Sequence, residues 1–120
     1  MANPVTWFEI IGNDAVGLQK FYKEIFDWKL SPPAPEMGMY SMLENEGHGI
    51  NGGIGASGDH APSRVTIYIE VDNPQAYLDK INQAGGKTVV PVTEIPGVGV
   101  TFAQFADPDG HVMGLLKGQG

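Results

Sequence analysis

The chain has 120 residues, enough for one domain that buries roughly two-thirds of its unfolded surface and too few for two independent cores. Seven basic residues against fourteen acidic ones give a net charge of −7, which repels both a nucleic-acid backbone and an anionic membrane. Cysteine is absent, excluding disulfides, thiolate zinc sites and a cysteine nucleophile, and no uncharged stretch exceeds twelve residues, too short for a membrane span.

Residues 1–10 show no basic segment followed by an apolar run, so no signal peptide is expected and a cytoplasmic location is. The run from Val5 to Ile11 is rich in β-branched and aromatic residues and predicts a strand closed by Gly12-Asn13. Asn13 is then read as the cap of a helix whose apolar positions Leu18, Phe21, Tyr22, Ile25 and Phe26 form one buried stripe. Pro32, Pro33 and Pro35 break the chain into a loop, because proline cannot donate to a sheet ladder. Two short strands are predicted near 39–44 and 49–55, turning at Glu46-Gly47, and residues 56–63 form a polar connector.

The pattern then restarts. Val65–Val71 predicts a strand, Asp72-Asn73-Pro74 opens a helix with the stripe Tyr77, Leu78 and Ile81, and Gly85-Gly86 ends it in a left-handed cap. Strands follow near 87–95, 99–106 and 111–117, the last two joined by Asp107-Pro108-Asp109-Gly110. At a shift of 60 residues Val5/Val65, Thr6/Thr66, Asn13/Asn73, Leu18/Leu78 and Lys20/Lys80 coincide. The chain therefore reads as strand, helix and three strands, written twice, with module one at about 1–58 and module two at about 62–118 of a single domain.

Strand alternation sorts the side chains. Phe8 and Ile10 face the first helix, leaving Trp7, Glu9 and Ile11 opposite; Ile67, Ile69 and Val71 face the second, leaving Thr66, Tyr68 and Glu70 opposite. A dry face does not accept Glu9 and Glu70 without partners, so these opposite faces are expected to line a wet cleft.

Two βαβββ modules, Phe21-Tyr22 followed by Phe26-Asp27-Trp28, and the run Phe105 to Gly110 together resemble the vicinal oxygen chelate superfamily. That group contains glyoxalase I, bleomycin-resistance proteins and extradiol dioxygenases. The resemblance spans essentially the whole chain and implies an α+β fold in which a curled mixed sheet surrounds a cup. Enzymes of the family hold a divalent metal in that cup. Carried over by position, the first-strand ligand falls on Trp7, the fifth-strand ligand on Thr66, and the last-strand carboxylate on Gly114. The fourth-strand ligand falls within 51–55, where Asn51 is the only polar side chain. Indole, hydroxyl and glycine do not replace the roughly three imidazole or carboxylate ligands that a catalytic metal needs, so neither a metal nor another cofactor is expected. His48 in a hairpin turn, His60 in the connector and His111 at a turn lack metal-site spacing and read as surface residues.

The ligand-binding candidates are Trp7, Glu9, Thr66, Tyr68, Glu70 and Gly114. Trp7 and Tyr68 offer aromatic faces for stacking, and a carboxylate beside them suits an amphipathic or cationic guest. Arg64, the only arginine, either anchors a carboxylate or is an exposed strand-start residue. The glycines at 52–55 and 97–99 precede no helix and read as points where strands bend. The expected function is a metal-free small-molecule-binding protein. The alternative is an enzyme of the same superfamily, of lyase, isomerase or dioxygenase type, either metal-independent with Glu9 or Glu70 as base or with a relocated metal site. The expected partners are a small-molecule ligand and a second copy of the chain in a homodimer, with no nucleic acid and no membrane.

Overall fold

The computed structural model describes residues 2–58 and 62–118, and among these it forms seven β-strands, two α-helices and a one-turn 3-10 helix at Pro35–Met37. In chain order the strands and α-helices are β1 (Val5–Gly12), α1 (Ala15–Phe26), β2 (Ser41–Leu43), β3 (Asn51–Ala56), β4 (Arg64–Val71), α2 (Pro74–Gln83), β5 (Lys87–Ile95), β6 (Val100–Ala106) and β7 (Val112–Lys117). The class is α+β, as the strand and helix patterns predict. Among the described residues no helix is long and apolar enough to cross a membrane. The chain forms two compact units, one of Trp7–Thr66 and one of the residues up to Thr6 together with those from Ile67 onward.

In the unit Trp7–Thr66 the strand order is β2-β3-β1. β3 runs parallel to β1, pairing Trp7 with Asn51 through Gly12 with Ala56, and antiparallel to β2. An outer strand alongside β2 is reduced to two isolated bridges, Leu30 to Leu43 and Ala34 to Tyr40. Pro32, Pro33 and Pro35 explain the reduction, since each removes a ladder donor.

α1 departs from the expected stripe. Its cap is Asp14, whose Oδ1 accepts the Gly17 N–H at 3.0 Å, while Asn13 Oδ1 accepts the Ser57 hydroxyl at 2.9 Å. The buried residues are Ala15 and Gln19, and the Gln19 amide donates to the carbonyls of Met39 and Ile54, both at 2.8 Å. Those two bonds set the helix rotation. At about 100° per residue, Phe21 and Ile25 lie roughly 200–240° around from Gln19, and both are exposed. Phe26 shares the Gln19 side but sits at the helix end, where its ring stacks on Tyr22 with 6.0 Å between centroids.

In the second unit the order is β4-β7-β6-β5, with β7 parallel to β4 and antiparallel to β6. α2 starts as predicted: Asn73 Oδ1 accepts the Ala76 N–H, and Pro74 occupies the first turn, where a missing N–H is harmless. It ends at Gly85, with a φ of +98°, and the Gly86 N–H closes on the Ile81 carbonyl at 2.8 Å. Leu78 packs against Val71, Ala103, Phe105 and Leu115, with Ile69 and Ile81 at the margin. The alternation predicted for β4 therefore holds for Ile69 and Val71. Gly97 and Gly99 have positive φ in the turn between β5 and β6, so their role is turn geometry and not strand bending.

Leu78→Ala, at a position 1% exposed, should lower unfolding free energy by about 2–5 kcal/mol. Ile25→Gln, on the open side of α1, should change it by less than about 0.5 kcal/mol. Urea titration of both variants checks the rotation of α1. A loss at Ile25 comparable to that at Leu78 would contradict it.

Candidate functional site

Pleating of β1 puts Phe8 on one face and Trp7 with Glu9 on the other. Phe8 meets the Trp28 ring at 5.6 Å between centroids. Trp7 and Glu9 are joined through Tyr40: the indole N–H donates to the Tyr40 hydroxyl at 3.0 Å, which donates to Glu9 Oε2 at 3.0 Å. Arg64 approaches the other Glu9 oxygen at 3.7 Å. The Glu9 side chain is 14% exposed, and a carboxylate so far removed from water needs such partners. Tyr40 can lie there because β3 carries glycines beneath it. A Cβ at Gly53 would stand 2.1 Å from the Tyr40 ring, and one at Gly55 2.7 Å. Neither glycine has a positive φ, so what they supply is space, not the bending expected of the 52–55 cluster.

A pocket of about 440 Å³ opens beside Trp7, within the volume range of small-molecule sites. Its apolar wall is Trp7, Leu30, Met42 and Leu43. The polar groups in it are largely committed to the backbone and to one another. Ser31 Oγ accepts the Met42 N–H at 2.8 Å, and Asn51 accepts the Asn45 N–H at 2.8 Å while donating to Glu44 at 3.3 Å. What the pocket presents is therefore an aromatic and thioether surface rather than an array of free donors.

The remaining candidates behave differently. Tyr68 is 5% exposed and offers no open ring face for stacking. Its ring fills the hollow over Gly114, where a Cβ would lie 2.0 Å away, and its hydroxyl accepts the Gln104 amide at 2.9 Å. Thr66 is 1% exposed with an Oγ1 that has no hydrogen-bond partner, a penalty of about 1–3 kcal/mol for a buried hydroxyl. Thr66 and Tyr68, expected on a wet face, are both buried, and at Tyr68 the glycine on β7 supplies the hollow that the ring fills. Glu70 is half-buried beside Gly118. The structure brings together Trp7 with Glu9, and Tyr68 with Gly114. Tyr40 was not among the sequence candidates, although glycines two apart on one strand were the signal for a ring above them.

These residues do not fit a divalent catalytic metal. Trp7 gives its one polar hydrogen to Tyr40, the hollow at Gly114 holds Tyr68, and the Asn51 amide holds Asn45 and Glu44. Among the described residues no three His, Cys, Asp or Glu side chains converge. His60 lies outside the described residues, and His111 is engaged with Asp107, its Nδ1 3.0 Å from Oδ2.

The sequence model of the Glyoxalase/Bleomycin resistance protein/Dioxygenase superfamily matches residues 5–115. The putative glyoxylase CFP32 of Mycobacterium tuberculosis is 29% identical over 117 residues, covering 92% of this chain and 44% of that protein. The anthracycline biosynthesis protein DnrV of Streptomyces peucetius is 26% identical over 126 residues, covering 92% of this chain and 46% of that protein. The chain thus spans less than half the length of these curated relatives. Methylmalonyl-CoA epimerase from Mycobacterium tuberculosis superposes with a TM-score of 0.70 at 12% identity, covering 97% of this chain and 88% of that one. A superfamily member from Vibrio splendidus 12B01 gives 0.68 at 15% identity, covering 98% and 100%. At such identities the likeness is one of fold.

Asp107 yields a pH prediction. The His111 backbone N–H, at 2.9 Å from Oδ1, is the main cause holding its carboxyl below the ordinary value, aided by the His111 ring and the Asp109 N–H. The folded chain therefore favours the ionised form. Its contribution is complete above the ordinary carboxyl value and disappears as pH falls through the folded one. Acid titration of Asp107→Asn should show a shallower loss of stability in that range than wild type; identical curves would contradict the pairing.

Proposed function

The chain belongs to the glyoxalase/bleomycin resistance protein/dioxygenase superfamily, and from that premise we propose that it is a metal-independent small-molecule-binding protein whose flat, amphipathic ligand stacks on Trp7. The observation that carries this reading is the 440 Å³ pocket walled by an indole whose N–H is already held by Tyr40. A ring fixed before the ligand arrives loses little freedom on binding. The polar neighbours turned toward the backbone leave stacking and apolar contact as the source of affinity. The name of the Streptomyces peucetius relative, an anthracycline biosynthesis protein, agrees with an aromatic ligand class. Glu9, one of the two carboxylates, with Glu70, that a metal-independent reaction could recruit as base, faces Tyr40 and Arg64 with its two oxygens, so it serves the binding reading as a brace.

Uncharged flat aromatic compounds titrated against wild type, Trp7→Phe and Trp28→Phe test the assignment by tryptophan fluorescence. Binding compounds should quench wild type and Trp28→Phe, with the signal lost in Trp7→Phe. Elemental analysis of the same preparations should find no stoichiometric zinc, nickel, iron or manganese. Quenching that survives in Trp7→Phe, or one equivalent of tightly held metal, would overturn the proposal.

A further inference from the structure

Gln19 does more than orient α1. Its side chain is buried, and its one amide nitrogen donates to two carbonyls, those of Met39 and Ile54, both at 2.8 Å. The two carbonyls belong to opposite sides of a single contact. Met39 immediately precedes Tyr40, and Ile54 stands between Gly53 and Gly55, the glycines on which the Tyr40 ring lies. One nitrogen therefore ties the chain leading into the ring to the strand that seats it.

Met39 is the strained partner. Its φ is +57°, in the left-handed region that a methionine seldom enters, and it follows Gly38 at +67°. Such a conformation persists only where its surroundings over-determine it. The bond from Gln19 to the Met39 carbonyl is a constraint of that kind, because the amide is buried and little water competes for it. One residue on, the Tyr40 hydroxyl is 3.0 Å from the Trp7 indole nitrogen and 3.0 Å from Glu9 Oε2. A backbone rotation at Met39 would swing that hydroxyl away from both.

We propose that Gln19 is a positioning residue for the Trp7 site. By holding Met39 left-handed against β3 it keeps the Tyr40 ring on its glycines, and Tyr40 in turn fixes the indole on which the ligand stacks. Gln19 itself touches no ligand. This inference rests on Trp7 being the stacking surface argued above, but its effect on the indole exists before any ligand binds.

The test uses Trp28→Phe as the parent, which leaves Trp7 the only tryptophan. Time-resolved fluorescence anisotropy of the unliganded parent should decay with whole-molecule tumbling alone. Gln19→Met, which keeps the length of the side chain and removes both donors, should add a fast component of indole motion. Tyr40→Phe should add the same component, and the two changes together should add little more. Met39→Gly combined with Gln19→Met should shrink it, because glycine accepts a φ of +57° without being held there. Leu78→Ala, which lowers stability in the other unit, should add none. Affinity for 1,4-naphthoquinone, read by Trp7 quenching, should fall about two- to tenfold in Gln19→Met, since one more side chain must then be immobilised on binding. If circular dichroism shows Gln19→Met unfolded, Gln19→Asn, whose amide falls one methylene short of both carbonyls, makes the same comparison. An indole that stays fixed without the Gln19 amide would overturn this inference, as would a fast component that Met39→Gly leaves intact or Leu78→Ala reproduces. Unchanged affinity in a variant whose indole has loosened would overturn it too. An indole loosened by Gln19→Met in a protein that binds no naphthoquinone would uphold the link from Gln19 to Trp7 and count against the stacking site instead.

Discussion

An aromatic ring laid over a glycine is the contact on which the candidate site depends. On β3, Gly52 lies beneath Phe8, and Gly53 and Gly55 lie beneath Tyr40; a Cβ at any of them would come within 2.1–2.7 Å of a ring atom. On β7, Gly114 does the same for Tyr68. A bare strand glycine leaves its ladder uncovered, and a ring packed on it restores the shielding. The ring gains a fixed seat in return. Phe8, so placed, meets Trp28, and Tyr40 stands where its hydroxyl can take the Trp7 N–H and give its own proton to Glu9.

The same device sets position 114 apart from the carboxylate that the family resemblance implies there. A glutamate at 114 would place its Cβ inside the Tyr68 ring, so carboxylate and tyrosine are mutually exclusive in this arrangement. In the Trp7–Thr66 unit, position 7 is an indole and position 66 a buried hydroxyl without a hydrogen-bond partner, neither of them an anionic or imidazole donor. Charge is retained one residue pair away, at Glu9, and is there balanced by Arg64 and Tyr40. What the Trp7-bearing unit offers is an indole pinned through Tyr40 to the Glu9 carboxylate.

Much of the fold was legible because its signals are local. The run of β5, the Asn73-Pro74 start of α2, its Gly85-Gly86 end and the alternation of β4 each depend on residues close in sequence. The rotation of α1 was not legible. It follows from Gln19 bonding to carbonyls 20 and 35 residues away, and a single glutamine outweighs an apolar stripe whose Phe21 and Ile25 have no surface to meet. Alternation correctly joined Trp7 to Glu9 but missed Tyr40, because a residue just before a three-residue strand carries no periodic signal. The wet character assigned to Tyr68 failed for a related reason: side-chain polarity said nothing of the hollow that Gly114 opens for a ring.

The most direct measurement of this account is a double-mutant cycle between Gly53 and Tyr40, read as unfolding free energy. Gly53→Ala should destabilise the protein when Tyr40 is present, since the added methyl and the ring cannot share the space. In a Tyr40→Ser background the same change should be close to neutral, giving a coupling of about 1–3 kcal/mol. A coupling near zero, with Gly53→Ala equally costly in both backgrounds, would show that the glycine serves the backbone and not the ring, and would contradict the account.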